Sequence, residues 1–236
     1  MNNNVTLELP EAIILCGGRG ERLRPITNDT PKPLVKIDDH PILHYVIEHL
    51  IKFNINKINI ASGYKSNVIN KYFSETNYDA SIKLYDSGEV DIIKRIQDIL
   101  LTVQDDVIVL YGDTISNVDI NELILCHRNS LKEITMTVWP LRISYGLAEI
   151  SGNGTIVSFL EKPTLDKWIN IGYFYINTNC RDLIFNYNSF ESFLLESAKM
   201  KSLNAYKHKG SHITVNTLTE LKEAQSNIKS TLRDKR

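Results

Sequence analysis

The chain carries no excess of charge: 27 lysines and arginines stand against 28 aspartates and glutamates, a formal net charge of −1. A global field that gathers nucleic acid or an anionic membrane is therefore excluded, and any polyanion must be held by locally placed cations. Long hydrophobic runs are missing as well. The longest apolar stretches are strand-sized, and the opening MNNNVTLELP has neither a cationic start nor an apolar core of signal-peptide length, so a cytoplasmic chain is expected rather than a secreted or membrane-spanning one. Cysteine is scarce. Cys16, Cys126 and Cys180 are odd in number, far apart and set among apolar neighbours, which fits buried free thiols rather than disulfides or a zinc site. No Gly/Pro/Ser-rich linker, internal repeat or low-complexity tract divides the 236 residues, so one domain spanning 1–236 is expected around one core.

What the sequence does have is an alternation of strand and helix patterns. EAIILC at 11–16 is a short apolar run ended by glycines, the mark of a buried strand entering a tight turn. PILHYVIEHLIKFN at 41–54 repeats Leu43, Val46, Ile47, Leu50 and Ile51 at helical spacing, with Pro41 suited to a first helical turn. A strand at 57–62, a helix near 66–75, a strand at 81–85, a helix at 89–102 and the strand DVIVLY at 106–111 continue the series, which implies a largely parallel sheet flanked by helices. Beyond about residue 130, EITMTVWPL, GLAEI, TIVSFLEKP and NIGYFYI are strand-like runs separated by turn signals, which should add antiparallel or mixed strands. Helices return at 189–201 and 217–230, the second opened by Thr217 with Glu220 three residues on, a capping-box pattern. The basic tail from Lys229 to Arg236 reads as a frayed helix end.

Residues 15–34, LCGGRGERLRPITNDTPKPL, are the richest stretch. A buried strand runs into Gly17, Gly18 and Gly20, and Arg19, Arg22, Arg24 and Lys32 follow. Glycines there let backbone N–H groups approach an anion closely while the cations neutralise it. A dinucleotide fingerprint fails because Leu23 stands where its last glycine would be, and no Gly-Lys-Ser/Thr of a Walker A loop is present. No Ser/His/Asp order or Cys/His pair stands out as nucleophilic machinery. His40 and His44 have a helical spacing that a metal could just bridge, and their place at a helix start favours exposed or packing roles.

The run Leu15, Gly17, Gly18, Gly20, Arg22, Leu23, Pro25, Thr27, Pro31, Lys32 and Leu34 resembles the signature of the nucleotidyltransferases that make NDP-sugars from sugar 1-phosphates. GYK at 63–65, Gly112-Asp113, Glu161-Lys162-Pro163, INIGY around Asn170 and Gly172, and AYKHKGSHITVNT at 205–217 continue the resemblance in order. The family implies a single Rossmann-like α/β domain with a mixed, mostly parallel sheet, a magnesium ion (Mg2+), and displacement of pyrophosphate from a nucleoside triphosphate by a phosphorylated acceptor. By the same resemblance, Leu15, Gly17, Gly18 and Gly20 cradle the triphosphate, Arg22 binds its β and γ oxygens, and Lys32 sits on the α-phosphate. Glu161 and Lys162 hold acceptor hydroxyls and phosphate, with Asn170 and Gly146 beside them. A mobile ammonium and a forked guanidinium suit moving and fixed charge respectively. Asp113 follows an apolar strand, so it should project from a carboxyl end of the sheet as a magnesium ligand. Members of the family are often dimers or tetramers, which makes a homo-oligomer an expectation; nucleic acid and membrane are not expected partners. The acetyltransferase or regulatory domains that some relatives append are not expected here.

Two stretches depart from the family pattern. Asn216, in VNT, stands where many members have a second metal-binding aspartate, and a neutral amide is a poorer magnesium ligand. YDSGEVDIIKR at 85–95 replaces the usual base-pocket segment and leaves Asp86, Ser87 and Gly88 as the expected base neighbours. The C-terminal run most resembles glucose 1-phosphate cytidylyltransferases, which favours CTP. Two alternatives are carried: a cytidylyltransferase for a non-sugar phosphate of the phosphocholine or phosphoglutamine type, and a catalytically degenerate nucleotide-binding regulator. Trp139 and Trp168 are candidates for lining the acceptor site, core packing being the commoner use of tryptophan.

Overall fold

The computed structural model describes residues 9–232, with side chains to residue 229. Strand β1 (Glu11–Leu15) leads through a glycine loop and three short 3-10 turns into a small hairpin of β2 (Lys36–Ile37) and β3 (His40–Pro41). Then α1 (Ile42–Lys52), β4 (Lys57–Ser62), α2 (Ser66–Glu75), β5 (Ser81–Asp86), α3 (Ile92–Leu100) and β6 (Val107–Tyr111) alternate as the sequence pattern implies. The second half runs β7 (Thr114–Ser116), α4 (Ile120–Ser130), β8 (Ile134–Arg142), β9 (Leu147–Ile150), β10 (Ile156–Leu160), β11 (Thr164–Ile176), α5 (Arg181–Phe185), α6 (Phe190–Lys199), β12 (Leu203–Lys207), β13 (His212–Thr214) and α7 (Leu218–Leu232).

Seven strands form one mixed sheet in the order β12-β8-β11-β6-β1-β4-β5. Strands β6, β1, β4 and β5 are mutually parallel, β12 is parallel to β8, and β11 runs antiparallel to both of its neighbours. Alternate residues of β1 serve opposite faces, as the period of a strand requires. Ala12 and Ile14 pack with Leu43, Val46 and Leu50 of α1 and with Leu123 of α4, whereas Ile13 packs with Ile93, Ile96 and Ile99 of α3 and Phe193 of α6. The central strands are thus covered on both sides, which explains why their sequences are continuously apolar rather than alternating.

Several expectations change in detail. Pro41 is the N-cap residue of α1 rather than part of its first turn. Helix α3 starts at Ile92, not near residue 89, because the Asp91 carboxylate caps it by accepting from Ile93 N–H at 2.9 Å. Helices α4 and α5 lie outside the sequence expectation, and β11 begins at Thr164, well before the INIGY segment. Cys16 and Cys180 are buried, but Cys126 is only half-buried, its sulfur accepting from Asn204 Nδ2 at 3.5 Å. Trp168 is 39% exposed beneath Lys207, and Trp139 donates from Nε1 to Gly210 O at 3.0 Å, so neither is a fully buried core residue. The capping box at Thr217 and Glu220 is present in both directions. Of the basic tail, the backbone is helical to Leu232 and residues 233–236 lie outside the described residues. Among the described residues, no helix is long and apolar enough to cross a membrane.

Candidate active site

Parallel pairing of β1 with β6 aligns Leu15 with Tyr111, so both strands release their loops at the same edge of the sheet. Gly112 N–H donates to Leu15 O at 3.0 Å, and a Cβ at Gly112 would lie 2.7 Å from the Cys16 sulfur. Only glycine lets these two strand ends approach so closely. The glycine loop is folded by Thr27 Oγ1 donating to Gly20 O at 2.9 Å and by Tyr64, whose N–H donates to Gly17 O and whose hydroxyl donates to Thr27 O. Gly20 takes a left-handed φ of 61° and rests on the Lys32 side chain.

That loop divides its cations. Arg19 and Arg24 turn to the surface and pair with Glu89 and Glu21. Lys32, 9% exposed, turns inward and pairs with the Asp113 carboxylate. Lys32 Nζ also donates to Asn216 Oδ1 at 2.8 Å, and Arg22 Nη2 donates to the same oxygen at 2.9 Å. Asn216 reaches this place because β13 pairs antiparallel with β7, matching Thr214 to Thr114 immediately after Asp113. Four groups from positions 22, 32, 113 and 216 therefore converge.

Two cavities meet there, and Tyr111 and Asp113 belong to the walls of both. The smaller, about 290 Å³, lies under the glycine loop and is lined by Leu15, Gly17, Gly18, Lys32, Val90 and Arg95. The larger, about 660 Å³, is lined by Arg22, Asn170, His212, Asn216 and the start of α7. Burial raises the Tyr111 phenol and pushes the Cys16 thiol far up, so neither ionises near neutral pH. His212 is held down to about 4 by burial, with His208 adding to the effect.

The structure brings together Leu15, Gly17, Gly18, Arg22, Lys32, Asp113, Asn170 and Asn216. Asp86, Ser87 and Gly88 lie outside both walls: the Asp86 carboxylate accepts from Ser66 Oγ at 2.6 Å and from Gly88 N–H at 2.9 Å, which holds it below its ordinary range, and Ser87 bonds Asp98. Gly146, Glu161 and Lys162 sit at the base of the β9–β10 hairpin, also outside both walls, with Glu161 Oε2 3.1 Å from the Cβ position of Gly146. The rings of His40 and His44 stack 4.2 Å apart, and no cluster of three or more His, Cys, Asp or Glu suited to an ion occurs among the described residues.

Arg95 is the site residue that sequence reasoning missed. It is 5% exposed, and its guanidinium donates to Ser62 O, Gly88 O and Val90 O, fastening the end of β4 to the 88–90 loop directly beneath Gly17. The available signal was a cation set within the apolar face of α3, beside Ile96 and Ile99.

Known proteins of similar sequence and fold match nearly the whole chain. The chain is 27% identical over 228 residues to a D-glycero-alpha-D-manno-heptose 1-phosphate guanylyltransferase of Aneurinibacillus thermoaerophilus, covering 92% of this chain and 98% of the relative. It is 28% identical to a probable glucose-1-phosphate cytidylyltransferase of Bacillus subtilis, over 90% and 94% of the two chains. The fold matches that of a putative glucose-1-phosphate thymidylyltransferase from Bacillus anthracis with a TM-score of 0.75, at 20% identity, over 96% and 98% of the two chains. The profile of the nucleotidyl transferase family covers residues 11–229, well over half of the sequence, and the chain belongs to that family.

Proposed function

We propose that this protein transfers a nucleoside monophosphate from a nucleoside triphosphate to a sugar 1-phosphate. The observation that carries this reading is the convergence of Arg22, Lys32 and Asp113 where the two cavities meet. An acceptor phosphate oxygen bonds the α-phosphorus while the bond from that phosphorus to the β-phosphate's bridging oxygen breaks, and pyrophosphate departs. The acceptor phosphate is already largely ionised near pH 7, so the task is to hold two polyanions in line and stabilise the charge that develops between them.

The chain's own groups suit that task. The loop of Gly17, Gly18 and Gly20 holds the triphosphate, Lys32 follows the charge at the α-phosphate, and Arg22 grips the departing phosphates. Magnesium fits the donor set, since that ion usually takes one or two protein carboxylates beside phosphate oxygens, and Asp113 offers one at a strand end. When bound it would neutralise phosphate charge. Asn170, on the wall of the larger cavity, would receive the acceptor, and the family resemblance assigns Glu161 and Lys162, which lie outside that wall, to the same substrate.

CTP is the proposed donor, on the likeness of the C-terminal segment to glucose 1-phosphate cytidylyltransferases. GTP is the second reading, favoured by the heptose guanylyltransferase relative. A matrix of five nucleoside triphosphates against sugar 1-phosphates, phosphocholine and other phosphomonoesters, read as pyrophosphate release, tests both. Turnover with CTP and a sugar 1-phosphate is expected. Turnover with GTP alone replaces the base assignment, turnover only with a non-sugar phosphate replaces the acceptor, and nucleotide binding without any turnover refutes the enzyme reading.

A further inference from the structure

We infer that Asn216 is a positioning residue for the two phosphate-binding cations and not a ligand of the metal, a role that rests on the transfer reaction proposed above. An amide oxygen has two lone pairs, and Asn216 Oδ1 accepts two hydrogen bonds, from Arg22 Nη2 at 2.9 Å and from Lys32 Nζ at 2.8 Å. The oxygen that would face a metal is already spent on two cations. Its backbone is fixed just as firmly: Asn216 N–H donates to Glu220 Oε2 at 2.6 Å, inside the capping box that starts α7. The first turn of α7 thus holds a bracket across Arg22 and Lys32, residues almost two hundred positions away in the chain.

The choice of an amide has an electrostatic reason. Arg22, Lys32 and Asp113 together carry a net charge of one positive unit, and a neutral Asn216 orients the cations without changing that sum. A carboxylate at position 216 would cancel it and hold both cations in ion pairs, which a phosphate would then have to displace. The Asn216 amide NH2, for which the described residues provide no partner, stands on the wall of the larger cavity as a further donor toward an anion.

Calorimetric titration with tripolyphosphate in EDTA tests the role without metal or turnover. The wild-type chain should bind, and Asn216→Ala should bind about five- to tenfold more weakly, as expected for losing the hydrogen bonds that orient two cations. Asn216→Asp should bind more weakly still, and Asn216→Gln should fall between wild type and Asn216→Ala. Melting curves for each variant separate this pattern from misfolding. With magnesium and the active triphosphate, Asn216→Ala should raise the KM for the triphosphate while the half-saturating magnesium concentration stays within about twofold. Equal tripolyphosphate binding by wild type, Asn216→Ala and Asn216→Asp would overturn the role, as would a half-saturating magnesium concentration raised well beyond twofold in Asn216→Ala. Failure of the whole substrate matrix would refute the proposed reaction yet leave the metal-free binding series to decide what Asn216 does.

Discussion

Replacing Gly17 with alanine introduces a single methyl group at a point where the structure leaves no room for one. Its Cβ would lie 1.1 Å from Arg95 Nη1 and 2.1 Å from Cζ, so the guanidinium must retreat by roughly 2–3 Å to reach ordinary contact. Gly17 has no left-handed φ, so the backbone itself tolerates alanine and the whole cost falls on Arg95. The tip of an arginine usually moves aside at little expense. This one is buried, with Nη2 donating to Gly88 O at 3.0 Å and Val90 O at 2.9 Å, and with longer bonds to Ser62 O and from Nε to Val90 O. Losing the two short charge-assisted bonds costs about 3–5 kcal/mol, a large part of the 5–15 kcal/mol typical of a folded domain. Urea unfolding of Gly17→Ala, Arg95→Leu and the double variant measures it. In the Arg95→Leu background the added methyl should cost under about 1 kcal/mol, giving a coupling of at least about 2 kcal/mol. Costs that add to within about 0.5 kcal/mol would refute the claim that Arg95 is what forbids a side chain at position 17.

Lys32→Ala should lower kcat/KM by about a hundred- to a thousandfold, the usual effect of removing a group that stabilises transition-state charge, and steady-state kinetics checks this against Arg24→Ala, whose surface pairing with Glu21 predicts a change within about twofold. Gly146→Ala places a methyl 2.4 Å from the Phe159 ring and 3.1 Å from Glu161 Oε2, so it should raise the KM for the acceptor about tenfold and leave that for the triphosphate unchanged. Acid should destabilise the fold: burial lowers His127 and His208 and holds His212 at about 4, while the unfolded chain titrates near the usual value of about 6.5. Their contribution is complete above about pH 6.5 and is lost as the pH falls toward 4, because there the unfolded chain takes up protons that the folded one refuses, at up to about 1.4 kcal/mol per pH unit for each histidine. Urea unfolding at pH 7, 6 and 5 checks the slope, which His212→Gln should flatten.

The parts of this site that could be read from sequence are those whose geometry is local. A short apolar strand ending in Gly17-Gly18 or in Gly112-Asp113 announces its own loop, because the strand, the turn and the projecting side chain are neighbours in the chain. The capping box of Thr217 and Glu220 was legible for the same reason. The role of Arg95 was not, since it depends on three carbonyls, at 62, 88 and 90, that come together only when β4 and α3 pack against β1. Helix α4 shows that local pattern can also be overlooked: Ile120, Leu123, Ile124 and His127 have helical spacing, but they follow closely on the strand-end aspartate and are mixed with polar residues.

Asn216 joins the two kinds of information. Its distance from a capping box fixes where its backbone sits relative to α7, which the sequence states directly. That its side chain faces Arg22 and Lys32 follows from a three-residue strand, β13, finding β7 across about a hundred residues. The same pairing sets Val215 N–H at 3.5 Å from Asp113 O, so the acidic and amide members of the site flank adjoining strands. A change in the β7–β13 ladder would therefore displace Asp113 and Asn216 and disturb both cations, even where no charged residue is altered. Position in a ladder determines the chemistry of residue 216 as much as its identity does.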